Sequence, residues 1–283
     1  MSKGNIIIDD TKNSNPNLLH NWYFADPINQ RNGSSFSGYS YTVDRWGFNS
    51  QADGTLVITE NGLLLNSGFF FQRVDPEIIA KINQPMTFSM LIDDKIYSVT
   101  FTPQHTNNDL IMKYTDFGSI YFEQDANSNY MPQCTIDIYH SPDKPARLLQ
   151  AAKLEFGNIQ TLAYKEDGRW ILNDPPPDKA LELLKCQRYY WQSDVIFNGT
   201  WVSSLWISVS LKFPAKMRIK PDVTIYSTLG TPNMFTDYGG QDTGVTMNTY
   251  NGTNEGILSF YTSSNPDGKD KQYEFKIVAD AEL

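Results

Sequence analysis

The stretch NDPPPDKALELLKCQRYYW, residues 173–191, decides how this chain is divided, because it is the one convincing helix in a sequence of strands and turns. Three consecutive prolines cannot continue a strand ladder, and the Asp178 carboxylate can cap a first helical turn, so we expect a helix starting near Asp178. At 100° per residue, one stripe of this helix contains Ala180, Leu183, Cys186, Gln187 and Tyr190. The pattern predicts a linker helix between an N-terminal β domain (1–172) and a C-terminal β domain (192–283).

Composition excludes several classes of protein. With 283 residues, 40% of them hydrophobic and 13% aromatic, the chain can bury a core and favours strands. A formal charge of −9 argues against electrostatic binding of nucleic acid or an anionic membrane, whereas neutral polar ligands suit it better. The start, MSKGNIIIDD, lacks the apolar run of a signal peptide, so we expect a protein made in the cytoplasm.

The N-terminal region is rich in hairpin signals. Asn61-Gly62 lies between LVITE and LLLN and predicts a tight turn with positive φ at both residues, and Asp93-Asp94 separates two alternating runs between Pro85 and Pro103. Further strands are predicted at 110–114, 119–123, 135–139 and 148–156. Roughly nine or ten strands at this spacing favour a jelly-roll-like β-sandwich.

The C-terminal region predicts a smaller β-sandwich. The clearest strand runs from Trp201 to Phe213, where Leu205, Ile207, Val209, Leu211 and Phe213 share one face. Further strands are predicted at 223–226, 257–262 and 273–278. Between them, residues 230–255 are rich in Gly, Thr and Asn, which predicts a long functional or disordered loop.

That loop supplies most of the predicted carbohydrate-binding residues. Its aromatic, acidic and amide side chains suit stacking and hydrogen bonding, and two tryptophans that flank the exposed face of the clearest strand could extend the site. The predicted set is Asp237, Tyr238, Asp242, Asn248, Tyr250, Asn251, Trp201 and Trp206. A merely mobile loop is an equal alternative, and packing between subunits explains the tryptophans equally well.

The remaining candidate residues do not lead us to predict a catalytic site, a metal site or a cofactor. The early aromatics Trp22, Tyr23, Phe24 and Trp46 could stack on sugars, but core packing is the favoured interpretation. His20, His105 and His140 are isolated, and an acidic pair such as Glu123 and Asp125 is expected by chance in an acidic chain. Ser263 to Glu274 loosely matches a calcium loop, although a plain hairpin is favoured.

Four ordered segments carry a family resemblance: NLLHNWYFADPINQRNG (17–33), YTVDRW (41–46), AAKLEFGN (151–158) and PPPDKALELLKCQRYY (175–190). Together they resemble the tail-fibre or receptor-binding proteins of phages and prophages, which contain a carbohydrate-binding-module-like jelly roll followed by such a helix. FPAKMRIKPDVTIY (213–226) resembles the next strand of tail-fibre tips. The chain departs from the pattern by inserting AYKEDGRWILN (163–173), and its last sixty residues match no known motif.

The resemblance implies a non-enzymatic virion protein of the phage tail. Its expected partners are a bacterial cell-surface polysaccharide or teichoic-acid-like polymer and other tail proteins, usually with the chain as a homotrimer. Two alternatives stay open: a glycan-degrading tail-spike enzyme, and a purely structural tail subunit.

Overall fold

A computed structural model describes residues 13–49, 53–74, 84–102, 109–114, 119–125, 133–193, 196–203, 206–237, 239–263 and 272–282. The chain forms two compact units, Met1–Asp178 and Lys179–Leu283. Antiparallel strands dominate both units, which confirms the predicted all-β, β-sandwich class.

The described part of the first unit contains twelve strands. They are β1 (Ser35–Ser37), β2 (Trp46–Phe48), β3 (Thr55–Thr59), β4 (Gly62–Val74), β5 (Met86–Ile92), β6 (Lys95–Phe101), β7 (Asp109–Tyr114), β8 (Ser119–Asp125), β9 (Gln133–His140), β10 (Arg147–Phe156), β11 (Ala163–Glu166) and β12 (Arg169–Leu172). The inserted segment 163–173 thus contributes a separate two-stranded hairpin, β11–β12.

Strand β4 belongs to two sheets. Its first part pairs with β3 and β10, in a sheet ordered β1–β3–β4–β10–β5–β6. From Gly68 onward it pairs with β2 and β9, and β9 continues to β8 and β7. The change of partners falls at Gly68, where a φ of 103° favours glycine. Apolar side chains of both sheets form one core, which makes the unit a sandwich.

The early aromatic residues lie in this core, as predicted. Trp22, Phe24 and Trp46 are buried, and Trp46 stacks on Phe70 with 4.9 Å between ring centroids. Asp44 is also buried, where it accepts hydrogen bonds from Gln30 and Arg31. The segments that carry the resemblance therefore contribute core and support in this unit.

Both predicted hairpins are present, with one correction. The β5–β6 turn lies at Asp93 and Asp94, as the sequence predicts, and both residues have positive φ. The β3–β4 turn, however, is centred on Glu60 and Asn61, with only Gly62 at positive φ. Gly62 is required for a different reason: a Cβ there would lie 2.2 Å from the Leu149 carbonyl oxygen of β10. The close approach of β10 to the start of β4 therefore explains why residue 62 is a glycine.

The helix α1 (Lys179–Cys186) begins directly after Asp178, as predicted, but ends earlier. Its end is set by β13 (Tyr190–Gln192), which pairs with the last strand of the unit. The predicted buried stripe is partly wrong, since Ala180 is exposed and Glu182 is buried. Glu182 is tolerated inside because its carboxylate accepts a hydrogen bond from Lys185 at 2.8 Å.

The second unit contains α1 and eight strands within its described residues. After β13 these are β14 (Phe197–Ser203), β15 (Trp206–Lys212), β16 (Asp222–Tyr226), β17 (Met234–Thr236), β18 (Asp242–Thr253), β19 (Gly256–Thr262) and β20 (Gln272–Asp280). The main sheet is ordered β20–β14–β15–β19–β18–β17, and a Thr236–Glu274 pair returns β17 to β20. At its centre Phe235, Phe260 and Phe275 pack edge to face.

Two predictions for this unit are wrong in detail. The predicted strand from Trp201 to Phe213 is a hairpin, because β14 ends at Ser203 and pairs antiparallel with β15. The predicted loop 230–255 is largely two strands, β17 and β18. Its Thr- and Asn-rich sequence is held in the sheet by backbone pairing, with Phe235 and Met247 as apolar anchors.

Candidate functional site

Three neighbouring strands of the second unit, β15, β19 and β18, present two aligned rows of side chains away from the core. In one row Trp206 pairs with Tyr261 and Tyr261 with Thr249; in the other Ser208 pairs with Ser259 and Ser259 with Asn251. We call these six residues the outer face: Trp206, Ser208, Thr249, Asn251, Ser259 and Tyr261.

Strand alternation places these residues on one side. In β15 exposed Trp206 and Ser208 flank Ile207, which is fully buried. In β19 Phe260 is fully buried between the half-buried residues Ser259 and Tyr261. Because directly paired residues of adjacent antiparallel strands share a face, the register carries this arrangement across to Thr249 and Asn251, both exposed.

Aromatic rings occupy one end of the outer face. The Trp206 side chain is 38% exposed and packs edge to face on Tyr261, with 5.0 Å between ring centroids and 73° between ring planes. This contact limits the rotamers of the indole and leaves part of it in solvent. A partly exposed, fixed ring can stack against the C–H face of a sugar.

The rest of the outer face is polar and uncharged. Hydroxyls of Ser208, Thr249 and Ser259 and the amide of Asn251 can both donate and accept hydrogen bonds. With about 4.8 Å between strands and about 3.4 Å per residue along them, the six side chains cover about 10 Å by 7 Å. This area matches one or two sugar rings of a neutral polymer.

The outer face contains two of the eight predicted binding residues, Trp206 and Asn251. Asn248 is exposed nearby, at an irregularity in the pairing of β18 between Met247 and Thr249. The backbone of Trp201 pairs with Ile207, while its side chain lies outside the described part of the structure. Tyr238 lies outside the described residues.

Tyr250 lies on the core side of β18. It pairs with Phe260, and its hydroxyl donates a hydrogen bond to the Pro221 carbonyl oxygen. The Lys220 ammonium lies 4.7 Å from the centroid of its ring. Burial, with a smaller contribution from the negative charge of Asp222, raises the pKa of Tyr250 to about 12. These contacts use the ring and hydroxyl for packing within the unit.

The predicted acidic residues support the β17–β18 turn. One Asp237 carboxylate oxygen accepts hydrogen bonds from the backbone N–H groups of Gly239 and Gln241, at 2.9 and 3.0 Å. Asp242 accepts a hydrogen bond from the Thr231 hydroxyl. Asp237 therefore holds the backbone of the turn and Asp242 holds the Thr231 side chain, and both lie apart from the two rows of the outer face.

Sequence reasoning missed four residues of the outer face: Ser208, Thr249, Ser259 and Tyr261. Each lies in a segment with clear alternation or polar composition, yet only the strand register brings them beside Trp206. The available signal was the alternation of β15 and β19, which assigns Ser208 and Ser259 to the side away from the core.

Other candidate sites have few described side chains. His140 is buried, with its Nε2 3.0 Å from the Pro145 carbonyl oxygen, whereas His105 lies outside the described residues. The side chains of Glu123 and Asp125, and residues 264–271 of the calcium-like segment, also lie outside the described part. Among described residues, no three His, Cys, Asp or Glu side chains cluster as a metal site would need.

No helix within the described ranges is long and apolar enough to span a membrane. The chain matches no family model, no curated protein and no solved structure.

Proposed function

We propose that this protein binds a bacterial cell-surface glycan without cleaving it, through the outer face of the second unit. One observation carries the proposal. A partly exposed Trp206, packed on Tyr261, lies on the same face as uncharged side chains that can form hydrogen bonds. Stacking on Trp206 supplies apolar contact, and Ser208, Ser259 and Asn251 supply partners for hydroxyl groups. A charged polymer would find no complementary charge among these six residues.

The biological role follows from the sequence resemblance to phage tail-fibre and receptor-binding proteins. In that role the protein is a component of the virion tail, associates with other tail proteins as a homotrimer, and attaches the particle to its host. The all-β fold and the exposed face that combines Trp206 with polar side chains support this role.

The test is binding of the intact protein to an array of bacterial surface glycans, followed by titration of each hit. Replacing Trp206 with Ala is expected to weaken binding about five- to thirtyfold, because stacking on an aromatic ring contributes about 1–2 kcal/mol. Tyr39→Ala is the matched control, since Tyr39 is a highly exposed aromatic residue of the first unit. Thermal melting of each variant checks that folding is retained.

Three outcomes would contradict the proposal. Release of reducing ends from a bound polymer would make the protein a glycan-degrading enzyme. Equal binding affinity of wild type and Trp206→Ala would show that the glycan-binding site lies outside the outer face. Failure to bind host cells or glycans and to compete with phage adsorption would favour a purely structural tail subunit.

A further inference from the structure

The first unit contains a pocket of about 220 Å³ that is separate from the outer face. It lies between the segment preceding β1 and the loop that follows β10, and three of its six lining residues have amide side chains. The lining residues are Asn13, Asn15, Gly157, Asn158, Ile159 and Thr161. We call it the amide pocket.

The pocket wall is held in place from beneath by a buried carboxylate. Glu155 is fully buried and accepts hydrogen bonds from the Thr161 backbone N–H at 2.6 Å, from the Thr161 hydroxyl and from the Asn15 amide at 3.0 Å. The Asn15 backbone N–H in turn donates to the Thr161 hydroxyl at 3.0 Å. Two lining residues are therefore fixed before any ligand arrives.

A buried ammonium lies in the same network. Lys153 is fully buried and donates to Ser14 at 2.6 Å and to Asp174 at 2.9 Å. Its charge, like that of Glu155, is thus satisfied inside the unit. None of the six lining residues is charged, so the pocket suits a neutral ligand.

The free groups of the pocket suit a hydroxyl-bearing ring. The Asn15 amide nitrogen donates to Glu155 and to the Phe156 carbonyl oxygen, which leaves its oxygen to accept from a ligand. Asn158 is exposed, and Ile159, which is 42% exposed, adds an apolar surface. Gly157 keeps space open, since a Cβ there would meet only the Asn15 amide nitrogen, at 3.7 Å.

We infer that the amide pocket binds one neutral pyranose ring. Its volume is below the roughly 300–1,000 Å³ of pockets for drug-sized ligands, so it fits a single ring rather than an oligosaccharide. Sugar hydroxyls would bond to the Asn15 and Asn158 amides, and the C–H face would contact Ile159. This site goes beyond the proposed function, because it lies in the first unit and uses none of the outer-face residues.

The test is a titration of the ¹⁵N-labelled full chain with methyl glycosides of neutral hexoses and N-acetylhexosamines. We expect millimolar affinity, with shifts at the Gly157, Asn158 and Thr161 amides that persist in Trp206→Ala. Asn158→Ala should weaken this binding about fivefold, the effect of one hydrogen bond. Asn61→Ala, which changes an exposed turn amide of the same unit, is the control and should leave the affinity unchanged.

Three results would overturn the inference: no shift at these amides with any neutral glycoside, equal affinity in Asn158→Ala, or tighter binding of glucuronate or methyl phosphate than of neutral sugars. Loss of the shifts in Trp206→Ala would assign them to the outer face, which would also reject a separate pocket site. Failure of the pocket leaves the outer-face proposal standing, because Trp206→Ala tests that face independently.

Discussion

Replacing Asp174 with Asn should destabilise the first unit more than removing Lys153 and Asp174 together. The change keeps the size and most hydrogen bonds of the side chain but removes its charge. Lys153, with 0% of its side chain exposed, would then have only neutral oxygens as hydrogen-bond acceptors: the amide oxygen at position 174, the Ser14 hydroxyl and the Thr161 carbonyl. Both Glu155 oxygens are already engaged by Asn15 and Thr161.

The size of the effect follows from the geometry of this pair. At 2.9 Å and an effective dielectric constant of about 20, the gross attraction is roughly 6 kcal/mol. Asp174 is 34% exposed, so water replaces part of the attraction, and the expected loss is about 3 kcal/mol. For a unit of this size that loss lowers the melting temperature by roughly 6–12 °C. The double variant Lys153→Met/Asp174→Asn also removes the uncompensated ammonium and should recover most of the lost stability.

Denaturant unfolding of the full chain, followed by near-ultraviolet circular dichroism, measures the four free energies of the double-mutant cycle. Glu255→Gln is the control, because it breaks the solvent-exposed pair with Lys216 by the same chemical change and should leave stability unchanged. A double variant less stable than Asp174→Asn would refute the reasoning, since it would mean that the buried ammonium needs no compensating charge.

Two further predictions concern stability. The neutral form of Tyr250 is favoured in the fold, with a pKa of about 12 against an ordinary 10.0, so its contribution is complete below pH 10 and is lost as pH rises through 12. The free energy of unfolding, measured between pH 9 and 12, should fall with rising pH in wild type and much less in Tyr250→Phe; equal slopes would contradict this. Gly62→Ala should cost about 1–3 kcal/mol because its Cβ would meet the Leu149 carbonyl oxygen, as seen by thermal melting. Gly168→Ala, at positive φ but in open space, is the matched control and should cost less.

Local signals predicted a large part of the fold. The Asp93-Asp94 turn follows from the break between two alternating runs, and the exposed and buried residues of β15 follow from strict alternation. The helix start follows from the prolines before Asp178. In each case the deciding interaction is between residues close in sequence.

The features that the sequence did not predict depend on pairing between strands that are far apart in the chain. Strand β18 has weak apolar periodicity, and its place in the sheet comes from β17 and β19 on either side. The candidate site has the same origin, because Trp206 and Asn251 share a face only through the register of β19. Tyr250 lies on the opposite side from Asn251 for that reason, although the two are adjacent in sequence.

Because β4 pairs first with β3 and β10 and then with β9, unfolding of one sheet of the first unit is coupled to unfolding of the other. The strand β4 forms backbone hydrogen bonds in both sheets. Neither sheet can therefore separate from β4 without disturbing the hydrogen bonds of the other. Partial unfolding of one layer is therefore costly, and the backbone amides of β4 should exchange with solvent at rates set by global unfolding. Gly68 lies at the middle of this shared strand, where protection against exchange should be continuous from one sheet into the other.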